Sequence, residues 1–227
     1  MSALYKWPAA TCVDRVIPKE RLYAEAGVSA NVKQRFVDEV QKIRWAYKLG
    51  EESLRLRVTD AVPEIQVFEI QLKGQGLSEI VLTTIDKAIP SPIIFELTRS
   101  TDEGCDEVEV VAAYKEPALR GPKLSSYFHS DWFTTESPRS PLPSAIDLTA
   151  LYAQLLANLM PIQSRPGEAL SDVAARLDTV RSLEREITAL ERKIRAELQL
   201  NRRVEIQRAL KIKQAALSQL KEVRQHG

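Results

Sequence analysis

The last quarter of the chain limits what this sequence can fold into more than any other segment. Between Ala169 and Arg224 there is no glycine and no proline. Apolar residues recur there at intervals of three or four: Leu170, Val173, Leu177, Val180, Leu183, Ile187, Leu190 and Ile194. This spacing places them on one face of a helix and is typical of helices that pack lengthwise against other helices.

The same segment predicts a second helix from about Arg203 to Arg224. Asn201 is a suitable N-cap for it, so residues 200–202 would form the tip of an antiparallel, coiled-coil-like hairpin. Because no glycine or proline marks a turn, one alternative is a continuous helix that pairs with another chain. Self-association of this segment into a homodimer is a further possibility.

Charge divides the chain in the same place. From Ala169 onward there are 13 basic and 8 acidic residues, against 19 basic and 23 acidic residues before it. A basic segment of this kind can bind phosphates or an acidic partner, or it can be the solvated flank of a helical pair. The candidate residues for binding nucleic acid or a partner are Arg192, Lys193, Arg195, Arg202, Arg203, Arg208, Lys211 and Lys213.

The rest of the chain predicts an α+β protein with a small mixed-sheet α/β domain. Helices are expected at 30–49 and 78–88, and strands at 54–58, 68–72, 93–97 and 108–114. The order strand, helix, strand, strand in the centre requires one crossover and favours a mixed sheet. The predicted organisation is an α/β domain over residues 1–145, a connecting helix and linker over 146–168, and the hairpin over 169–227.

A proline-, glycine- and serine-rich segment over residues 116–145 contains an aromatic cluster at 127–133. Such a cluster is expected either to pack back over the sheet or to form an exposed stacking platform. Another polar feature is the adjacent pair Asp86 and Lys87 at a predicted helix end. This pair could anchor a ligand or hold the turn in place.

Several functional classes have little support in the sequence. Cys12 and Cys105 do not form a Cys-x-x-Cys pair, and we expect no metal and no cofactor. There is no glycine-rich phosphate loop of the Walker or dinucleotide type. The N-terminal residues lack the pattern of a signal peptide, and no apolar run reaches the ~20 residues that span a bilayer. A cytoplasmic protein without membrane contact is therefore expected.

Six segments, taken in order, carry a resemblance that covers almost the whole chain. They are VKQRFVDEV (32–40), TDAVPEIQVF (59–68), IDKAIPSPIIFEL (85–97), VVAAYK (110–115), LPSAIDLTALY (142–152) and NRRVEI (201–206). On these segments the chain resembles the bacterial domain-of-unknown-function family 4391. Members of that family look like companions of helicases and DNA methyltransferases in anti-phage gene clusters. The resemblance implies an accessory or scaffolding subunit of a nucleic-acid-processing assembly.

An alternative is a subunit that binds DNA or RNA, or a metal-dependent nuclease. The weak catalytic candidates are Asp60, Glu64, Glu69, Lys73 and Glu96. Nucleases of the restriction-enzyme type combine one acid with an acid-x-lysine triplet on a neighbouring strand, where carboxylates hold Mg²⁺. That triplet is missing, because Glu69 and Lys73 are four residues apart and no lysine follows Glu96. The sequence therefore favours a non-enzymatic role.

Overall fold

The chain forms two compact units, Met1–Pro161 and Ile162–Gly227. The computed structural model describes residues 3–101, 104–116, 118, 122–162, 164–165 and 167–221, without the side chains of residues 23–26. Each unit is described separately below.

The first unit is built around one mixed sheet. In chain order its elements are a 3-10 turn (Ala9–Thr11), β1 (Cys12–Val16), α1 (Lys19–Ala26), α2 (Ala30–Glu39), β2 (Val40–Leu49), α3 (Glu51–Leu54), β3 (Ile65–Leu72), α4 (Glu79–Ala88), β4 (Ile93–Ser100), β5 (Asp106–Ala112), β6 (Lys115–Glu116), β7 (Lys123–Leu124), β8 (Phe128–His129), β9 (Phe133–Thr134) and α5 (Leu148–Ala157). The sheet has the order β1-β2-β3-β4-β5, and β8 and β9 both pair with β5.

Strands β3 and β4 are parallel, whereas the other neighbours along this order are antiparallel. Two parallel strands need a crossover connection, and α4 provides it. This confirms the predicted strand, helix, strand, strand order and the mixed sheet, and with it the α+β class.

The predicted helix over residues 30–49 is wrong in its second half. The helix ends at Glu39, and the chain passes directly into β2. Val40, Ile43, Ala46 and Leu49 are the buried positions of β2, so burial recurs every three residues. The cause is a pair of register irregularities against β3, because each bulge moves the following side chains to the other face. A bulged strand therefore reproduces the apolar spacing of a helix.

The predicted strand over residues 54–58 is also absent. Residues Glu51–Leu54 form the short helix α3, and Arg55 follows with a φ of 57°. A residue in the left-handed region interrupts an extended strand. Only Arg57 makes a β-bridge here, with Asp147.

The main core lies between the sheet and helices α1, α2 and α4. It includes Phe36, Phe68, Val81, Ile85 and Phe95, all buried. Because side chains alternate along a strand, residues next to Phe68 and Phe95 point to the opposite face of the sheet. That face carries the polar cluster described below.

The aromatic segment packs back over the sheet, which was the first of the two alternatives that the sequence left open. Tyr127 and Phe128 are buried, and β8 and β9 form short ladders with β5. The guanidinium of Arg99 lies 3.8 Å from the centre of the Trp132 ring. These aromatic residues are therefore part of the body rather than a free platform.

The second unit consists of α6 (Leu170–Ala196) and α7 (Leu200–Lys221), which pack against each other. Ion pairs join Lys213 to Glu186 at 2.9 Å and Lys221 to Glu184 at 2.8 Å. Residues late in α7 thus lie beside the middle of α6, so the helices are antiparallel. The structure confirms the predicted helical hairpin.

The turn of the hairpin lies earlier than predicted. Residues 200–202 belong to the first turn of α7, and the connection is Glu197–Gln199. The carbonyl of Gln199 accepts a hydrogen bond from the amide of Arg203 at 3.0 Å. Gln199, and not Asn201, therefore holds the N-cap position directly before α7. The Glu197 carboxylate accepts the amide of Gln199 at 2.9 Å and closes the turn.

Candidate functional site

Two of the catalytic candidates lie side by side on the central strands. Glu69 and Glu96 are paired positions on the parallel strands β3 and β4. Neighbouring strands are ~4.8 Å apart, so the two side chains share one face of the sheet at close range. Each carboxylate has an arginine partner: Arg44 binds Glu69 through two guanidinium nitrogens, and Arg139 binds Glu96.

The Glu96 carboxylate is enclosed and fully bonded. It is 3% exposed and accepts both terminal nitrogens of Arg139 at 2.8 Å. The indole N–H of Trp7 donates to the same carboxylate at 2.7 Å. Arg139 also donates to the carbonyl of Tyr5 at 3.0 Å, which fastens the N-terminal segment across this face. This arrangement is a bidentate, charge-assisted pair sealed by an aromatic donor.

The electrostatics of this cluster follow from those bonds. The hydrogen bond to Glu96 raises the pKa of Arg139, and the hydrogen bond to Glu69 raises the pKa of Arg44. Burial, together with the charges of Glu69 and Glu96, raises the pKa of Tyr47. Both arginines stay charged over the physiological range, so the two carboxylates are neutralised by fixed cations.

The other three catalytic candidates lie elsewhere. Glu64 accepts hydrogen bonds from Lys48 at 2.7 Å, Gln66 at 2.6 Å and Ser91 at 2.9 Å. The ammonium of Lys73 donates to the carbonyl of Val37 at 2.6 Å. Asp60 is exposed in the loop before β3. Across the described ranges, no three potential metal ligands of the His, Cys, Asp or Glu type come together.

A second charged cluster is buried in the first unit. The ammonium of Lys115 lies 2.7 Å from the Asp86 carboxylate and donates to the carbonyls of Asp86, Ile89 and Ser91, each at 2.9 Å. The Tyr127 hydroxyl donates to the second oxygen of Asp86 at 2.6 Å. Burial raises the pKa of Asp86 and of Tyr127 and lowers that of Lys115.

This second cluster holds the C-terminal end of α4 against the chain that follows β5. The sequence drew attention to Asp86 but paired it with Lys87, and it missed Lys115 and Tyr127. No local pattern marks Lys115 as buried, because the alternation along 108–114 places it in phase with Glu107 and Glu109. A fully bonded buried pair of this kind fixes a turn and leaves no group free for a ligand.

The predicted binding residues lie together on the second unit. We define the hairpin tip as residues 192–213, which contain eight basic residues and only two acidic ones, Glu197 and Glu205. Seven of the eight basic side chains are exposed, and Lys213 alone forms an ion pair within the described part of the chain. The positive charge of the hairpin is therefore concentrated at one end and is free to meet an outside group.

Apolar side chains are exposed at the same tip. Leu198 is 97% exposed, Leu200 74% and Ile212 68%. Large apolar side chains that stand beside arginines, with nothing covering them, are typical of surfaces that contact another molecule. The sequence analysis missed this feature, because it considered Leu200 only as part of the predicted turn and assigned no role to Leu198.

None of the helices in the described residues combines the length and apolar character that crossing a bilayer requires. No curated protein and no solved structure matches the chain. One family model matches residues 6–217, which is almost the entire sequence. The chain therefore belongs to the family described as domain of unknown function DUF4391.

Proposed function

We propose that this protein is a non-enzymatic accessory subunit that docks onto a protein partner through the hairpin tip. The observation that carries the proposal is the combination of seven exposed cations with Leu198 and Leu200, which stand almost free of contacts. The arginine-bound state of Glu69 and Glu96 supports a structural role for those carboxylates. In this proposal the hairpin tip binds the partner, and the charged groups of the first unit have a structural role.

The apolar residues favour a protein partner. A phosphate backbone satisfies arginines but does not cover leucines, whereas a protein interface buries an apolar centre and surrounds it with charged groups. Covering one leucine side chain contributes roughly 1.5–3 kcal/mol. The partner expected from this chemistry has an apolar groove with acidic residues around it.

The resemblance noted in the sequence suggests where such a partner would be found. A helicase or DNA-methyltransferase subunit of a bacterial anti-phage assembly in the cytoplasm is the partner we propose. In that assembly the subunit would act as a scaffold, and the enzymatic work on nucleic acid would belong to the partner.

Co-purification of the full chain with its partner from the native host tests this proposal. The variants L198S/L200S and R202E/R203E/R208E should each abolish co-purification, because they remove the apolar and the cationic half of the surface. The variant K33E/K42E/K123E reverses three exposed cations of the first unit and should keep the partner. A tip variant that retains the partner at the wild-type level would contradict the proposal.

Direct binding of DNA or RNA is the second candidate, and the excess of eight basic over two acidic residues at the tip favours it. If all seven exposed cations met phosphates, the logarithm of the affinity would fall against the logarithm of salt concentration with a slope of about −6. R202E/R203E/R208E would weaken such binding, whereas L198S/L200S would leave it unchanged. The response of the leucine variant thus separates the two candidates.

A metal-dependent nuclease is the remaining alternative for the same family. It would require Glu69 and Glu96 to release Arg44 and Arg139 before they could hold Mg²⁺. If the chain does cleave nucleic acid in the presence of Mg²⁺, E69A and E96A should each abolish the cleavage. Cleavage that survives both substitutions would remove these residues from consideration.

A further inference from the structure

The first unit has a cavity of about 330 Å³ on the helix side of its sheet. It opens between β1, α1, β2, β3 and the residues that follow α4. Its walls include Arg15, Arg21, Trp45, Gln66, Phe68 and Pro90. A volume of this size lies at the lower end of the ~300–1,000 Å³ that small-molecule sites occupy.

One wall of the cavity is aromatic. Trp45 and Phe68 are paired positions on β2 and β3, and their rings lie 6.4 Å apart and nearly parallel, at 6°. Ile17, Leu22 and Ile89 also belong to the apolar lining. Phe68 is only 2% exposed, so Trp45 forms the accessible part of this wall, and its ring suits the flat face of an aromatic ring system.

Two arginine side chains line the same cavity. Arg15 is the paired position of Trp45 across the β1–β2 ladder, so the two side chains point to the same face of the sheet. Arg21 reaches the cavity from α1. Both arginines are exposed, and neither has an acidic partner among the residues that the structure describes. A pair of free guanidinium groups beside an apolar cavity is suited to an anionic group such as phosphate.

One hydrogen-bonding group at the cavity is unused. Gln66 donates to Glu64 at 2.6 Å, and its own amide oxygen accepts from no group in the described residues. A heterocycle with a donor on its edge matches this oxygen.

We propose that this cavity binds a nucleoside monophosphate. The base lies along Trp45 and donates a hydrogen bond to the Gln66 amide oxygen. The phosphate binds Arg15 and Arg21. Recognition here uses side-chain cations rather than a glycine-rich loop, and it is independent of the hairpin tip and of any partner that the tip binds.

Calorimetric titration of the full-length protein with adenosine monophosphate and guanosine monophosphate tests the proposal. At least one of them should bind, and the variant R15Q/R21Q should weaken that binding by about tenfold or more. W45A removes the aromatic wall against which the base lies, and it should weaken binding severalfold. The matched control K33Q/K42Q removes two exposed charges from elsewhere in the first unit and should bind as the wild type does.

Adenosine and inorganic phosphate, titrated separately, should each bind far more weakly than the nucleotide, because each offers only half of the recognised groups. Failure of both nucleotides to bind would overturn the proposal. Equal affinity for inorganic phosphate, or for adenosine, would also overturn it. So would nucleotide affinity that R15Q/R21Q leaves unchanged.

Discussion

At the scale of single residues, the partner of each charged group decides what that group can do. Glu96 lies on a central strand, where a catalytic acid could lie. However, Arg139 and Trp7 both donate hydrogen bonds to its carboxylate. The alanine variant R139A leaves this carboxylate buried with one donor. Breaking a buried pair costs ~3–5 kcal/mol, so we expect the free energy of unfolding in urea to fall by about that amount.

The exposed pair Lys213–Glu186 provides the control for R139A. Both side chains are more than two-fifths exposed, and exposed pairs contribute little to stability because water and salt screen their attraction. K213A should therefore change the unfolding free energy only slightly. If R139A proved as mild as K213A, Glu96 would be free enough to act as a ligand, and the structural role assigned to it would be wrong.

How much of these clusters the sequence could reveal depends on the separation of the partners along the chain. Register alone brings Glu69 and Glu96 together once β3 and β4 are known to be parallel. Their arginines lie 25 and 43 residues away, and Lys115 lies 29 residues from Asp86. The Arg44–Glu69 pairing follows from the register of β2 and β3, and β2 was predicted as a helix. Arg139 lies in a loop and Lys115 in the short strand β6, and local residue patterns do not encode how these segments pack.

At the scale of elements, β2 shows how a pattern can mislead. The sheet pairs this strand on both sides, and its bulges give burial at every third residue, from Val40 to Leu49. A period of three is closer to a helix than to a regular strand, so periodicity favoured the wrong element. By contrast, β3, α4 and β4 have regular patterns and clear capping residues or prolines between them, and the sequence predicted all three.

The end of α7 is held by charged groups from the other side of the hairpin. Arg165 donates to the carbonyl of Gln219 at 3.2 Å and Arg176 to that of Leu220 at 3.1 Å. Both carbonyls belong to the last turn of α7 that the structure describes. Glu168 binds Arg176 through both carboxylate oxygens, at 2.8 and 2.7 Å, and so fixes its orientation.

The hydrogen bond from Arg176 lowers the pKa of Glu168, which predicts acid sensitivity of this helix end. A carboxylate whose pKa is lower in the folded state stabilises it at pH values above the unfolded pKa. That contribution is lost as pH falls through the folded pKa, below about 4.5. Once the intrinsic pH dependence of amide exchange is divided out, the protection of amides in the last described turns of α7 should therefore fall on acidification, and E168Q should show this lower protection already at neutral pH.

Loss of the Glu168–Arg176 hydrogen bonds should lower the free energy of local unfolding at this end of α7 by about 2 kcal/mol, which is the contribution of hydrogen bonds to a charged group. E191Q removes another carboxylate of α6 that has no ion-pair partner within the described residues, so its exchange should follow the wild type. Identical pH profiles for the wild type and E168Q would show that Glu168 does not hold this end of the helix.

At the scale of the whole molecule, charge and contacts divide the chain at the same place. The sequence places an acidic body before a basic helical segment, and the structure separates the units after Pro161. The positive excess lies at the hairpin tip, since residues 192–213 contain eight of the basic residues that follow Ala169. The apolar groups of the tip needed the structure, because only the position of the turn shows that Leu198 and Leu200 are exposed.

This division predicts that the two proposed binding activities can be separated by truncation. A fragment of residues 1–161 contains every strand of the sheet, its helix-side core and all residues of the cavity. It should unfold cooperatively in urea and bind the nucleoside monophosphate within about twofold of the full chain, because it contains every residue that lines the cavity. It should not co-purify with the partner, since the hairpin tip is absent. A fragment that folds and still captures the partner would place the docking surface on the first unit. A folded fragment that loses the nucleotide would show that the cavity depends on the second.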